Sequence, residues 1–263
     1  MARKLPELDF LIVTALDVET AAVRRFLEEE ESRAHGFVGK ITREDGRSSY
    51  DVGIVESGQM GNNASQLAAA LFGLNSPRVI LTGIAAGFPE SGVQPGDVMA
   101  PYFVIDYELA KVKERRLGFA KRLCLKVMSR LFPGADQALV SYEHRAPPMR
   151  VSYTLWHTAN TLAKDPSWAD VIREPRPDGS SRAPCVHSKS TSYLGSGNKL
   201  VASVFSRTRQ WLLKEFGAVG LEMESIGVLT FCLGNAPGHT LKAGSSGTSS
   251  RICCQRTVLL VRQ

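Results

Sequence analysis

The stretch "GAVGLEMESIGVL" (residues 217–229) is almost wholly apolar and small, yet it carries Glu222 and Glu224 on either side of Met223. An ionised carboxylate taken out of water without a partner is costly, so each glutamate needs hydrogen bonds or a chemical use. Backbone form decides where they point. As a strand over 218–223, the stretch sends both glutamates to one side and Met223 to the other, because side chains alternate. As a helix it turns them about 200° apart, onto nearly opposite faces. A third reading puts Glu224 in the first turn of a helix beginning near Ser225, where the macrodipole favours an anion by about 0.3–1 kcal/mol. The stretch alone does not choose between these.

The whole chain narrows the field. Its 263 residues, 43% hydrophobic and 22% charged, can bury a large core as one big domain or two small ones. The opening "MARKLPELDFLIVTALD" has basic residues before an apolar run, but Glu7 and Asp9 interrupt it and the run is too short for a signal or a membrane span. Five cysteines form no CxxC pair, and an odd number without an export signal predicts reduced thiols in a cytoplasmic protein. No zinc-binding spacing is readable. The net charge of +6 is local, since residues 111–130 hold eight basic side chains against one acid, Glu114. There Leu117, Ala120, Leu123, Cys124, Val127, Met128 and Leu131 recur at helical spacing, which predicts an amphipathic helix with a basic, solvated outer face. A single aromatic residue, Phe119, interleaves with the basic ones, too few for a stacking surface, so neither a nucleic-acid partner nor a membrane is expected.

Along the chain, apolar β-branched runs alternate with helical patterns. "LDFLIVTAL" precedes "DVETAAVRRFLEEEE", read as a helix; "YDVGIVESG" leads through "QMGNN" into the helical "ASQLAAALFGL"; "RVILTGIAAG" ends in a glycine-rich turn. "GDVMAPYFVIDYE", "CVHSKSTSYLGSGNKLV" and "GAVGLEME" each read as a further strand. This is an α/β chain with a parallel or mixed sheet, and such sheets bind ligands beyond the carboxyl ends of their strands. At those ends lie "TALDVET", "ESGQMGNN", "TGIAAGFPESG", "SGNKL" and "LEMES". None is a Walker loop, and none has GxGxxG spacing.

In this order the turns resemble those of the purine nucleoside phosphorylase and nucleosidase superfamily, and more closely its methylthioadenosine/S-adenosylhomocysteine nucleosidase branch. "SGQMGNNA", "TGIAAG", Gly96–Asp97, "SGNKL" and "LEMES" match that branch's motifs, and Glu19 in "TALDVET" matches the glutamate ending its first turn. The similarity covers roughly residues 8–108 and 189–229. It implies a three-layer α/β/α fold with a central mixed sheet, over residues 5–231, with a basic helical insertion at about 109–146 and an atypical tail at 232–263. It also implies hydrolysis of the N-ribosidic bond of a purine nucleoside or 5′-thio-nucleoside, no cofactor or metal, and a homo-oligomer.

By motif match, Glu19 is the expected general base for water and Glu224 the acceptor for the ribose hydroxyls, the two converging on one ribose-sized hollow. Met223 packs on the sugar, and the amides around Ser57, Gly58 and Ala85 line the ribose and base region. Gly87, Ser196 and Gly197 fall in the matching turns. Glu222 is either structural or a supporting member of the site, with the structural reading favoured. The chemistry agrees, because cleaving this bond leaves positive charge on the sugar and calls for carboxylates. Phosphorylases of the superfamily clamp phosphate with arginines in the first and third turns; here "TALDVET" and "TGIAAG" have none, so water is the expected nucleophile.

One part departs from the resemblance. The family's late aspartate, which helps protonate the leaving purine, has no counterpart, because residues 225–263 contain no aspartate or glutamate. Either the tail has diverged and left a weak enzyme, or the domain binds nucleosides without turning them over; RNA binding through the basic segment is a third alternative.

Overall fold

A β-branched apolar run with no polar face belongs in the middle of a sheet, and Phe10–Thr14 (β1) lies there. The computed structural model describes residues 7–33, 36–43, 45–72, 78–114, 118, 123–124, 140–145, 147–170, 172, 175–176, 179–199, 201, 206–234, 255–258 and 260–261. After β1 the chain forms Asp17–Arg24 (α1), Glu28–Arg33 (β2), Gly36–Thr42 (β3), Ser49–Glu56 (β4), Asn62–Phe72 (α2) and Arg78–Leu81 (β5). Then come the short strands Ala86–Gly87 (β6), Val98–Met99 (β7), Phe103–Asp106 (β8), Ala110–Glu114 (β9), Val140–His144 (β10) and Met149–Arg150 (β11). Tyr153–Leu162 (α3), Ser167–Asp170 (α4), Val186–His187 (β12), Tyr193–Ser196 (β13), Arg207–Phe216 (α5), Gly220–Glu222 (β14), Ser225–Gly234 (α6), Gln255–Val258 (β15) and Leu260–Val261 (β16) follow.

Two larger sheets organise these strands. One has the order β15-β5-β1-β4-β3-β2, with β1 parallel to both β4 and β5, and β3 antiparallel to β4. The other runs β11-β8-β13-β14-β6, in which β13 is parallel to β8 and to β14. The main core joins them, through Leu11, Val13, Val79, Leu81, Val104, Leu194, Val228 and Leu229. Each such fully buried side chain contributes roughly 1.5–3 kcal/mol relative to exposure. Helices α2 and α6 pack closely because Gly227 has no side chain; a Cβ there would lie 1.8 Å from the Asn62 carbonyl oxygen.

Several sequence expectations change. The helix read through "DVETAAVRRFLEEEE" stops at Arg24, and the glutamates enter β2, with a register irregularity between Glu28 and Glu31 and with Glu29 at φ 51°. Four successive carboxylates repel one another on a helix, whereas here they meet Thr42, Lys40, Arg24 and Arg33. "GDVMAPYFVIDYE" splits into β7 and β8, in different sheets, around Pro101, which has no N–H to offer a ladder. "CVHSKSTSYLGSGNKLV" likewise splits into β12 and β13 around a turn closed by Ser192 N–H to the Lys189 carbonyl, at 2.8 Å.

The two ends of the basic segment are strands, β9 and β10, paired antiparallel. Of the amphipathic helix expected between them, Leu123 and Cys124 are helical, Gly118 is not, and the rest lies outside the described residues. The tail rejoins the fold, since β15 pairs in parallel with β5 and β16 pairs with β7. No described helix is long and apolar enough to cross a membrane.

Candidate active site

Glu19 sits at the third position of α1, and its carboxylate turns back over the start of that helix. Oε2 accepts from the backbone N–H of Ala15 at 2.8 Å and of Leu16 at 3.1 Å. A glutamate at this position commonly reaches back to the helix start. Oε1, however, crosses to the turn after β5 and accepts from Ile84 N–H at 2.7 Å. One side chain thus fastens "TALDVET" to "TGIAAG". Gly83 makes the approach possible, for a Cβ there would lie 2.8 Å from Glu19 Oε1.

Glu224 lies between β14 and α6. Its Oε1 accepts from Gly61 N–H at 2.9 Å and its Oε2 from Met223 N–H at 3.1 Å. Gly61 has φ +120°, a backbone form that favours glycine. Burial raises the Glu224 carboxyl, the N–H groups of Gly61 and Met223 oppose that, and the negative charge of Glu19 adds to the rise. Glu19 and Glu224, from opposite ends of the sequence, are therefore close enough to feel each other's charge.

Glu222 is 3% exposed and points elsewhere. Its Oε2 accepts from Glu224 N–H at 2.6 Å and Ser225 N–H at 2.8 Å, so it caps the start of α6. Among the described residues its Oε1 has no hydrogen-bond partner. Burial and then repulsion from Glu224 push this carboxyl up to about 7. Since β14 ends at Glu222, strand alternation does not extend to Glu224. The backbone follows the third reading, with a helix from Ser225, but the Glu224 carboxylate leaves its own helix for Gly61.

The other expected residues divide into two groups. Ser196 is buried at the end of β13; its hydroxyl donates to Asn62 Oδ1 at 3.2 Å and accepts from Ile226 N–H at 3.1 Å. Gly197 N–H donates to the Glu222 carbonyl at 3.2 Å, and Met223 is half-buried beside it in sequence. Ser57 and Gly58 form the turn after β4, with Gly58 at φ +68° and the Ser57 hydroxyl donating to the Gln59 carbonyl at 2.6 Å. Ala85 and Gly87 instead line a separate cavity of about 70 Å³ with Asp97 and Met99. That cavity and a larger one are the two described, and neither is lined by Glu19 or Glu224.

Asn62, Ser65 and Asn198 hold the site together, and no sequence motif gives them a role. Asn62 Oδ1 accepts from Gly227 N–H at 3.0 Å, and Ser65 donates to the Glu224 carbonyl at 2.8 Å, so the first turn of α2 anchors the first turn of α6. Asn198 Oδ1 accepts from Asn62 N–H at 2.8 Å, while Glu108 Oε2 accepts from the Asn198 backbone N–H and its Nδ2 at 2.9 and 2.8 Å. Asparagine and serine at a helix start are the available signal, because they answer N–H groups that the helix leaves unpaired.

A carboxylate oxygen offers two lone-pair directions. Glu19 Oε2 has both engaged, whereas Oε1 keeps one free beside Ile84. Among the described residues each Glu224 oxygen has a single donor, which leaves this carboxylate able to accept from two neighbouring hydroxyls at once. Among the described residues no cluster of three His, Cys, Asp or Glu side chains is arranged to hold a metal.

No protein-family model matches the chain, and no curated protein sequence does. Solved structures do resemble it. The 5′-methylthioadenosine/S-adenosyl homocysteine nucleosidase of Campylobacter jejuni is 14% identical, with a TM-score of 0.57 over 97% of this chain and 85% of that one. The Streptococcus pneumoniae MTA/SAH nucleosidase in complex with 8-aminoadenine is 13% identical, with a TM-score of 0.57 over 97% and 84%. A mutant of Helicobacter pylori futalosine hydrolase is 13% identical, with a TM-score of 0.53 over 96% and 88%. The chain has the three-layer α/β/α fold of the nucleoside phosphorylase type.

Proposed function

We propose that this protein hydrolyses the N-ribosidic bond of a purine nucleoside or its 5′-thio derivative. What supports the proposal is that Glu19 and Glu224 are each held by backbone N–H groups with acceptor capacity left over, and that the charge of Glu19 reaches Glu224. The two free lone pairs of Glu224 suit the vicinal hydroxyls of a ribose, which fixes the sugar. The free lone pair on Glu19 Oε1 suits a water O–H. As the bond to the base lengthens, positive charge builds on the sugar; Glu19 takes a proton from the water and the oxygen attacks the anomeric carbon. Both carboxylates stabilise that charge. The purine leaves with the bond's electron pair and takes a proton from solvent.

A second reading, a nucleoside-binding module without turnover, is favoured by the absence of any carboxylic acid after Glu224. Incubation with adenosine, inosine, methylthioadenosine and S-adenosylhomocysteine, with and without phosphate, separates the two. The hydrolytic reading expects free base from at least one, independent of phosphate, and a fall of about 100- to 10,000-fold in Glu19→Gln. Saturable binding with no base released assigns the protein to the second reading. Release that requires phosphate refutes hydrolysis.

A further inference from the structure

The turn "HSKSTS" at 187–192 has no part in the chemistry above, yet it walls the larger described cavity, about 360 Å³. That volume is in the range of small-molecule sites. The lining comprises Ser91, Asn160 of α3, Val186 to Lys189, Thr191, Ser192, Gly217 and Val219, and it contains no carboxylate. It lies at the start of β13 and β14, whereas Ser196 and Glu224 lie at their far ends.

Its polar groups are donors. Among the described residues no carboxylate pairs with Lys189, and no hydrogen bond engages the hydroxyls of Thr191 or Ser192, although Ser192 is 4% exposed. The Ser188 hydroxyl donates to Asn160 Oδ1 at 2.9 Å, which leaves the Asn160 amide hydrogens for another acceptor. His187 is oriented from behind, with Nε2 3.0 Å from Asp97 Oδ2. Asp97 itself is saturated. Burial alone raises its carboxyl, but hydrogen bonds from His187, Cys185 N–H, Gln94 N–H and Arg182 hold it well below the usual carboxylate range. Its charge is therefore answered inside the wall. Gly217 lines the cavity from the end of α5, where Gly217 N–H and Ala218 N–H take the Leu213 and Leu212 carbonyls.

We infer that this cavity is a second ligand site, for a small phosphomonoester, with Lys189 supplying the charge and Thr191, Ser192 and Asn160 the hydrogen bonds. A lysine among hydroxyl and amide donors with no acid matches a tetrahedral oxyanion. Among the described residues the one ring in the lining is the His187 imidazole, held by Asp97, so a purine meets no phenyl, phenol or indole face there. The site does not depend on the nucleosidase reading.

Calorimetric titration of the full chain with inorganic phosphate, ribose 5-phosphate, citrate and free ribose tests it. Saturable binding of ribose 5-phosphate is expected, stronger than that of ribose or citrate and about tenfold or more weaker in Lys189→Ala. Thr191→Val is expected to weaken it less, and Glu19→Gln to leave it unchanged. Preference for citrate reassigns the site to carboxylates and overturns the phosphomonoester. No saturation, equal affinity in Lys189→Ala, or displacement of the phosphate compound by adenosine each overturns the site.

Discussion

Two groups of glutamates in this chain meet opposite fates. Glu29, Glu30 and Glu31 lie on the surface and are answered by side-chain cations: Lys40 at 2.5 Å, Arg24 at 2.6 Å and Arg33 at 2.6 Å. Glu19, Glu222 and Glu224 are buried, and among the described residues they are answered by backbone N–H groups, with no cation. The difference lies in what each carboxylate can still accept. A cation neutralises a carboxylate and competes for its lone pairs, whereas one or two N–H groups hold it in place and leave part of its acceptor capacity open. Exposed pairs also contribute little to stability, because water screens them and ordering two long side chains costs entropy.

The sharpest way to break this contrast is Gly83→Ala. The new methyl group sits where Glu19 Oε1 now lies, 2.8 Å away, so the carboxylate must shift while the hairpin of β2 and β3 is untouched. A displacement of this kind is expected to lower base release by about 100-fold with the fold retained, as circular dichroism and steady-state rates together show. Gly227→Ala tests the scaffold instead. Its Cβ meets the Asn62 carbonyl, separates α2 from α6, and is expected to cost about 1–3 kcal/mol in urea unfolding.

Glu222 gives a pH test. Its folded carboxyl, at about 7, lies above the ordinary 4.5. Between those values the native state keeps a proton that the unfolded chain has released, so wild-type stability falls as pH rises from about 4.5 to about 7 and levels off above that. Glu222→Gln mimics the protonated form and is expected to flatten a slope of roughly 1–3 kcal/mol, read from urea midpoints at pH 5 and 8. At the other extreme, Glu30→Gln is expected to leave the thermal midpoint unchanged within error. A measurable loss there would erase the distinction between the two groups.

The sequence carried the strand-and-turn order, because β-branched runs and small-residue turns are local signals. It also carried Glu19 and Glu224, through the turns that end β1 and β14. The fate of the four glutamates at 28–31 was not legible, since the cations that favour β2 come partly from β3, and local helical spacing outweighed them in the reading. Nor was the orientation of Glu222 against Glu224: both lie two residues apart in one apolar stretch, and the strand's end at Glu222 depends on N–H groups that only α6 presents. Asn62 and Asn198 escaped for the same reason, because the partners of their side chains are 90 to 165 positions away in sequence.

The pairing of Gln255–Val258 with Arg78–Leu81 bears on how the protein is made. Until residue 258 has left the ribosome, β5 presents an open edge, and the turn beyond it, which must receive Glu19, has support on one side only. The nascent chain therefore carries a nearly complete sheet with a sticky border through most of its synthesis. Closing that border is a long-range step, because it joins two segments far apart along the chain.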